Sequence, residues 1–349
     1  MDTLGGAEFA PETTYLNTSS CGLLPGRAVE AVRTLAAESA KGRRDGAGSF
    51  DSVTAARASY ARLVGVPAER VAVGHAVAVH VGLIAGSLAP GSEVLMAEGE
   101  FSSVVTPFAV RGDLRPRYVP LEKLADEVRP ETALVAVSAV QSADGRIADL
   151  PALRAATSAH GARTLLDTTQ AAGWLPVEAG AYDYTVAGGY KFLVSPRGTS
   201  FLTVTEEAQE GLVPLHAGWV AGEDIWASTY GPVERLAHSA RRFDEPVAFL
   251  AYHGAEQSLA LLEEIGVERI RTHVVALADR FRAGLVSLGH EPVAADGSTV
   301  VAVAGLGDRE ARLAEAGVEV SVRAGNLRAA FHLYNSAADV DRALDVLAG

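Results

Sequence analysis

The stretch Leu165–Gly198, LLDTTQAAGWLPVEAGAYDYTVAGGYKFLVSPRG, decides how the rest of the chain is read. It opens on an apolar run that ends in an acid, Asp167, and closes around one lysine, Lys191, set among glycines and apolar residues. No acidic residue lies between Asp183 and Glu206, so nothing close in sequence pairs the ammonium. A buried ammonium without a partner is costly. A poorly solvated lysine instead titrates low and becomes a usable amine nucleophile. A buried aspartate in turn needs a cation or several donors. Pyridoxal 5'-phosphate (PLP) uses both groups. Its aldehyde condenses with a lysine, and a carboxylate keeps its pyridinium nitrogen protonated so that the ring acts as an electron sink.

Outward from this stretch, short apolar runs alternate with Ala/Leu/Glu-rich segments. Gly26–Ala40, Asp51–Leu63 and Leu150–His160 read as helices. Arg70–Val73, Glu93–Ala97, Arg115–Pro120, Ala133–Ser138, Arg163–Asp167, Tyr184–Ala187 and Thr199–Val204 read as strands. Such alternation predicts an α/β fold with a mostly parallel sheet covered by helices. After Phe249 the pattern changes. A long helical stretch, Val247–Leu288, precedes strands at Thr299–Ala304, Glu319–Val322 and Leu327–Ala330 and a helix at Ala337–Leu347, which reads as a small C-terminal α+β domain. Open α/β sheets bind ligands beyond the carboxyl ends of their strands, which makes Asp167 a natural site residue.

Composition narrows the function classes. The 349 residues carry 30 Lys+Arg against 43 Asp+Glu, a formal net charge of −13, and no basic run exceeds two residues. That argues against a nucleic-acid partner and against anionic membrane surfaces. The N-terminus lacks a basic and an apolar region of signal-peptide type, and no stretch reaches the ~18–20 uncharged apolar residues of a membrane span. A cytoplasmic location is the expectation. Cys21 is the single cysteine, which excludes intrachain disulfides and multi-cysteine metal sites; no metal is expected.

The motifs, taken in order, resemble the class V aminotransferase family of fold-type I PLP-dependent enzymes, which includes cysteine desulfurase-like, isopenicillin epimerase-like and kynureninase-like members. YLNTSSCGLLP (Tyr15–Pro25) resembles the family's N-terminal loop. EGEFSSVVTPF (Glu98–Phe108) resembles the segment whose aromatic residue stacks on the cofactor. LLDTTQAAG, GGYKFLVSPRGTSFL and VSVRAGNLRAAFHLYNSAADVDRAL resemble the family's aspartate, lysine and C-terminal arginine motifs. The resemblance covers nearly the whole chain. It implies a large PLP-binding domain over 21–248 with a seven-stranded type of sheet, a small domain over 249–349, and an N-terminal arm over 1–20.

The resemblance also implies roles. Lys191 would carry the cofactor and later move the Cα proton. Asp167 would pair with the pyridinium N–H, Gln170 would bond the phenolic oxygen, and Phe101 would lie against the ring. Arg328 would fork onto the substrate α-carboxylate, a geometry lysine cannot match. Ser142 or Gln141 would sit near ring or substrate, and Asn17 could close over the substrate. Arg241 or Arg242 could reach a partner subunit's phosphate in a homodimer with its site at the interface.

Three positions depart from the family pattern. His75-Ala76 and the residues after them replace the hydroxyl-rich phosphate turn, so backbone amides and His75 are the expected anchors. Tyr190 replaces a histidine before the lysine, and Gly188 stands where a serine is common. No cysteine lies in the C-terminal third, which disfavours a persulfide-forming desulfurase. The expected function is therefore PLP-dependent chemistry on an amino acid or small amine. Aminotransferase is the first reading, a C–S or C–C lyase the second, and a cofactor-free scaffold the alternative of another class.

Overall fold

The structure is a computed structural model and describes residues 2–349. In chain order the strands are β1 (Thr14–Tyr15), β2 (Val71–Gly74), β3 (Glu93–Ala97), β4 (Arg115–Val119), β5 (Thr132–Ser138), β6 (Arg163–Asp167), β7 (Tyr184–Gly188), β8 (Ser200–Val204), β9 (Val300–Ala304), β10 (Val318–Glu319), β11 (Ser321–Arg323) and β12 (Asn326–Ala330). The α-helices are α1 (Gly26–Ala40), α2 (Phe50–Leu63), α3 (Val77–Ser87), α4 (Ser102–Ala109), α5 (Leu150–His160), α6 (Glu206–Glu210), α7 (Phe249–Ile265), α8 (Val267–Ser287), α9 (Glu310–Glu315) and α10 (Ala337–Ala348).

Seven strands form one sheet in the order β2-β8-β7-β6-β5-β3-β4. β8 runs antiparallel to both neighbours, and the other pairings are parallel. The near-continuous apolar runs noted in the sequence follow from burial on both faces. Val71, Val73, Leu95, Val135, Val137 and Leu166 point to one face, against Val53 and Tyr60 of α2 and Tyr252 and Leu259 of α7. Their neighbours Ala72, Val94, Met96, Leu134, Ala136 and Leu165 point to the other, against Ile84 of α3 and Phe108 of α4.

Helices α3 and α4 have no counterpart in the expected list, for different reasons. α3 is apolar or glycine nearly all round, its exposed face being Ala78 and Gly86, so it shows no amphipathic period. α4 is short, rich in β-branched residues and carries Pro107 inside it. The expected single helical stretch Val247–Leu288 is two helices. Gly266, at φ +88°, ends α7 and opens α8.

A second core joins α8 and α10 to the three-stranded sheet β11-β12-β9, through Leu277, Phe281, Val301, Val303, Leu327 and Phe331. The expected strand Glu319–Val322 is split: β10 pairs in parallel with β1, and β11 pairs with β12. The N-terminal segment is thereby tied to residues near the other end of the chain. Leu4 N–H also donates to the Leu333 carbonyl at 2.8 Å, and Asn17 bridges to Ala330. Because α7 packs with the large sheet and not with the second core, we propose that the two units divide near Gly266 and not at Phe249.

Candidate active site

All the chemistry-bearing residues of the central stretch lie at one edge of the large sheet. Asp167 ends β6, Ser138 ends β5 beside it, and Gly188 ends β7. β8 runs the other way, so its leading residues Thr199 and Ser200 reach the same edge. This is the carboxyl end of the parallel strands, where the polypeptide leaves room for a ligand. A cavity opens there, lined among others by His75, Ala76, Phe101, Ser142, Asp167, Gln170, Gly188, Tyr190 and Lys191.

Lys191 is 5% exposed, and among the described residues its Nζ has no hydrogen-bond or ion-pair partner. Phe101 lies 4.9 Å away, ring centroid to Nζ, and Tyr190 lies at 5.8 Å. Burial pushes the ammonium down to about 8 despite the opposing pull of Asp167, and Arg328, Arg197 and Arg323 add to the depression. Asp167 is buried too. Its Oδ1 accepts from the Thr169 N–H at 2.7 Å, and among the described residues no cation touches it. Burial raises it to about 6, with the Glu100 carboxylate contributing in the same sense. A lysine that loses its proton more easily than usual and a carboxyl with no cation in contact among the described residues thus line one cavity.

The loop that carries Lys191 is fixed by close backbone contacts. Gly22 N–H donates to the Tyr190 carbonyl at 2.8 Å, and a Cβ at Gly22 would sit 2.0 Å from the Lys191 carbonyl oxygen. Val194 in the same loop takes φ +44°, unusual for a β-branched residue. Gly22→Ala is therefore expected to push the lysine loop away and to destabilise the protein by about 1–3 kcal/mol, read as a lower urea midpoint. An unchanged midpoint would show that the loop yields freely.

The remaining expected residues fall into two groups. His75, Ala76, Phe101, Ser142, Gln170, Gly188 and Tyr190 line the cavity. Gln170 Nε2 donates to the Ser19 carbonyl and to Ser142 Oγ, while its Oε1 is buried without a partner. Arg328 and Asn17 stand behind the wall. Arg328 reaches the cavity through Ser142, to whose carbonyl and hydroxyl its Nη1 donates. It is buried with no carboxylate in contact, and burial lowers it to about 10. Asn17 keeps its Oδ1 buried and unpaired. Gln141, the alternative to Ser142, does not line the cavity but donates to Glu100 at 2.9 Å. Arg241 bonds the carbonyls of Val220, Gly222 and Glu223, which pins the loop before it.

Several site residues escaped the sequence reading. Glu100 is buried and accepts from Ser138 N–H, Ser138 Oγ, Gln141 Nε2 and Phe101 N–H, so it fixes the start of α4 and with it the Phe101 ring. Ser103, Thr169 and Thr199 bring to the cavity the hydroxyls that the turn at His75 lacks. That turn opens α3, and among the described residues no oxygen accepts from the N–H groups of Ala76, Val77 or Ala78. His75 Nδ1 lies 2.6 Å from Oε2 of the buried Glu245, which also accepts from the His75 N–H. Glu245 itself belongs to the segment Ala240–Pro246 and had no assigned role.

The cavity therefore offers a buried lysine with a lowered pKa, a buried carboxyl without a cation, an orphaned amide oxygen and a helix start with free donors. These fit an aldehyde-bearing, nitrogen-containing ring with an anionic tail. The aminotransferase class-V family model matches residues 33–343. The uncharacterized aminotransferase YcbU of Bacillus subtilis is 27% identical over 84% of this chain and 82% of its own length. The kynureninase of Deinococcus radiodurans is 26% identical over 76% and 70%. A solved complex of the cystine C-S lyase C-DES with its product cysteine persulfide superposes with a TM-score of 0.87 at 22% identity, covering 97% of both chains. The apo cysteine desulfurase of Thermococcus onnurineus gives 0.82 at 21%, covering 97% and 94%. The chain belongs to the aminotransferase class-V family.

Proposed function

We propose that this protein is a PLP-dependent enzyme that transfers the amino group of an amino acid. The observation that carries the proposal is the buried, unpaired Lys191 amine sharing a cavity with the buried, unpaired Asp167 carboxyl. When bound, PLP supplies an aldehyde for covalent capture of an amine and a ring that delocalises the electrons released at Cα.

The residues would hold the group as follows. Asp167 would face the ring nitrogen and keep its proton in place. Phe101, held by Glu100, would cover one ring face. The free amides of Ala76–Ala78, with His75, Thr199 and Thr169, would receive the phosphate. Gln170 would contact the phenolic oxygen. Arg328 would bind the substrate α-carboxylate from beside Ser142, with Asn17 near it. Lys191, whose amine burial brings down to about 8, would take the Cα proton in its deprotonated form. The named activity of the Bacillus relative supports transfer over elimination.

The test is turnover of an amino acid with and without a 2-keto acid acceptor. A transferase stops after one half-reaction without the acceptor and continues with it. Turnover that ignores the acceptor would overturn transfer in favour of a lyase, and a purified protein that stays colourless in PLP would overturn the cofactor assignment. We further take the protein to act as a cytoplasmic homodimer with its site near the subunit interface. Support comes from the loop 213–231, where Val213, Leu215, Trp226 and Tyr230 are exposed; Leu215 lies over Gly86 of α3, the helix whose start lines the cavity. Among the described residues no helix is long and apolar enough to cross a membrane.

A further inference from the structure

Three guanidinium groups lie behind the residues that line the cavity, and among the described residues none touches a carboxylate. In a chain of net charge −13, carboxylates are the commoner charge, and Arg57, Arg62 and Arg280 each fork onto one. Arg328 instead donates from Nε to Ser321 Oγ, from Nη1 to Ser142, and from Nη2 to Ser20 Oγ at 2.8 Å. Arg323, from the β11–β12 hairpin, donates from Nη2 to the same Ser20 Oγ at 3.1 Å and from Nη1 to the Val322 carbonyl. Arg197 lies 4.2 Å over the Tyr190 ring, with no hydrogen bond or ion pair of its own among the described residues. The Tyr190 ring in turn neighbours Lys191.

The two edges of the Arg328 guanidinium face different things. The Nη1 edge meets Ser142, which lines the cavity. The Nη2 edge meets Ser20, where Arg323 converges on the same oxygen. A neutral hydroxyl thus occupies the point at which two cations meet, a place that suits a carboxylate or another oxyanion. One α-carboxylate at the Ser142 edge would neutralise Arg328 alone and leave Arg323 and Arg197 without an anion.

We infer that the substrate is an acidic amino acid, whose second anionic group is held at the Ser20 edge between Arg328 and Arg323, with Arg197 adding to the field. This inference rests on the reading of Arg328 as the α-carboxylate site. It makes Arg323 a specificity residue. The side-chain anion enters between hydrogen-bond donors already held in place by Ser20 and the Val322 carbonyl, so little ordering of Arg323 is required.

The experiment uses the holoenzyme and measures dissociation constants from the change each amino acid makes in the cofactor's visible band. The probes are two isosteric pairs, L-aspartate with L-asparagine and L-glutamate with L-glutamine, which differ in charge and little else. The wild type is expected to prefer the acid in at least one pair by about fivefold or more, the scale of one partly exposed charge pair. In Arg323→Gln that ratio should fall to near one while the amide's affinity stays the same; Arg323→Lys should keep part of the preference, because it keeps the charge. Retention of the visible band confirms that each variant is folded. A wild-type ratio near one overturns the inference. So does an Arg323→Gln variant that loses acid and amide affinity equally, since both arginines would then hold a single carboxylate. A band that no amino acid perturbs would instead sink the amino-acid reading of the site, and the inference with it.

Discussion

Lys191→Ala is expected to yield a folded protein that no longer retains PLP through gel filtration, is colourless, and turns over at least ~10²–10⁴-fold more slowly, the range lost with a positioned proton-transfer group. In the proposed reading the loss has two sources, because the same amine would capture the cofactor and handle the Cα proton. The wild-type amine should show its depressed titration directly. Capture of PLP by the cofactor-free protein should speed up with pH until about 8 and then level off, well below the ordinary lysine range near 10.5. The same shift fixes a stability signature. A base whose folded pKa is lowered binds fewer protons in the folded state, so its penalty is complete below about 8 and fades as pH rises to 10.5. Lys191→Met, which keeps most of the volume, should therefore stabilise the cofactor-free protein at pH 7 by up to about 3 kcal/mol. Urea midpoints measured at pH 7 and at pH 10 should show the gap closing. A lysine variant that remains yellow and active would place the covalent chemistry elsewhere.

Asp167→Asn should behave differently: the visible band persists, because Lys191 is intact, while turnover falls on the order of 10²–10³-fold, as when one preorganised electrostatic partner is removed. The asparagine keeps the shape and can keep the acceptor for the Thr169 N–H, so loss of fold would not account for the result. Here too the pH sign is defined. An acid raised from 3.8 to about 6 binds more protons when folded, so the cofactor-free wild type should lose stability, by about 3 kcal/mol, as pH rises through that window. Asp167→Asn should remove this slope. Near-normal turnover in the variant would mean that the ring nitrogen does not face position 167.

What could be read from the sequence follows a physical division. The strand ending in Asp167 and the lysine among glycines were legible because burial on both sheet faces leaves unbroken apolar runs, in which a single charge stands out. α3 stayed hidden because even its exposed face is made of alanine and glycine, which leaves no period to detect. Glu100 looked like one acid among several in EGEF. Its role depends on Ser138 and Gln141, about forty residues away, and only the β3–β5 pairing brings them together. Glu245 reaches His75 across 170 positions. The hydroxyls of Ser103, Thr169 and Thr199 come from three separate segments, so a search for one hydroxyl-rich turn finds none. Residues whose role is set by local chemistry could be named; residues recruited by topology could not.

The pairing of β1 with β10, and of Asn17 with Ala330, has a consequence for how the protein is made. A ribosome emits the N-terminal segment first, yet its partners emerge last, after a wait on the order of tens of seconds at ordinary elongation rates. Through that interval Leu16, fully buried in the finished protein, has no place to go, and Ser20 cannot meet Arg323 or Arg328. The strand that ends in Asp167 and the loop that carries Lys191 can assemble meanwhile, so the Ser20–Arg328 side of the candidate site should be the last part to form. A nascent chain stalled before Val318 would hold Lys191 without Arg323 and Arg328, and its loose leading segment would be a natural target for chaperones.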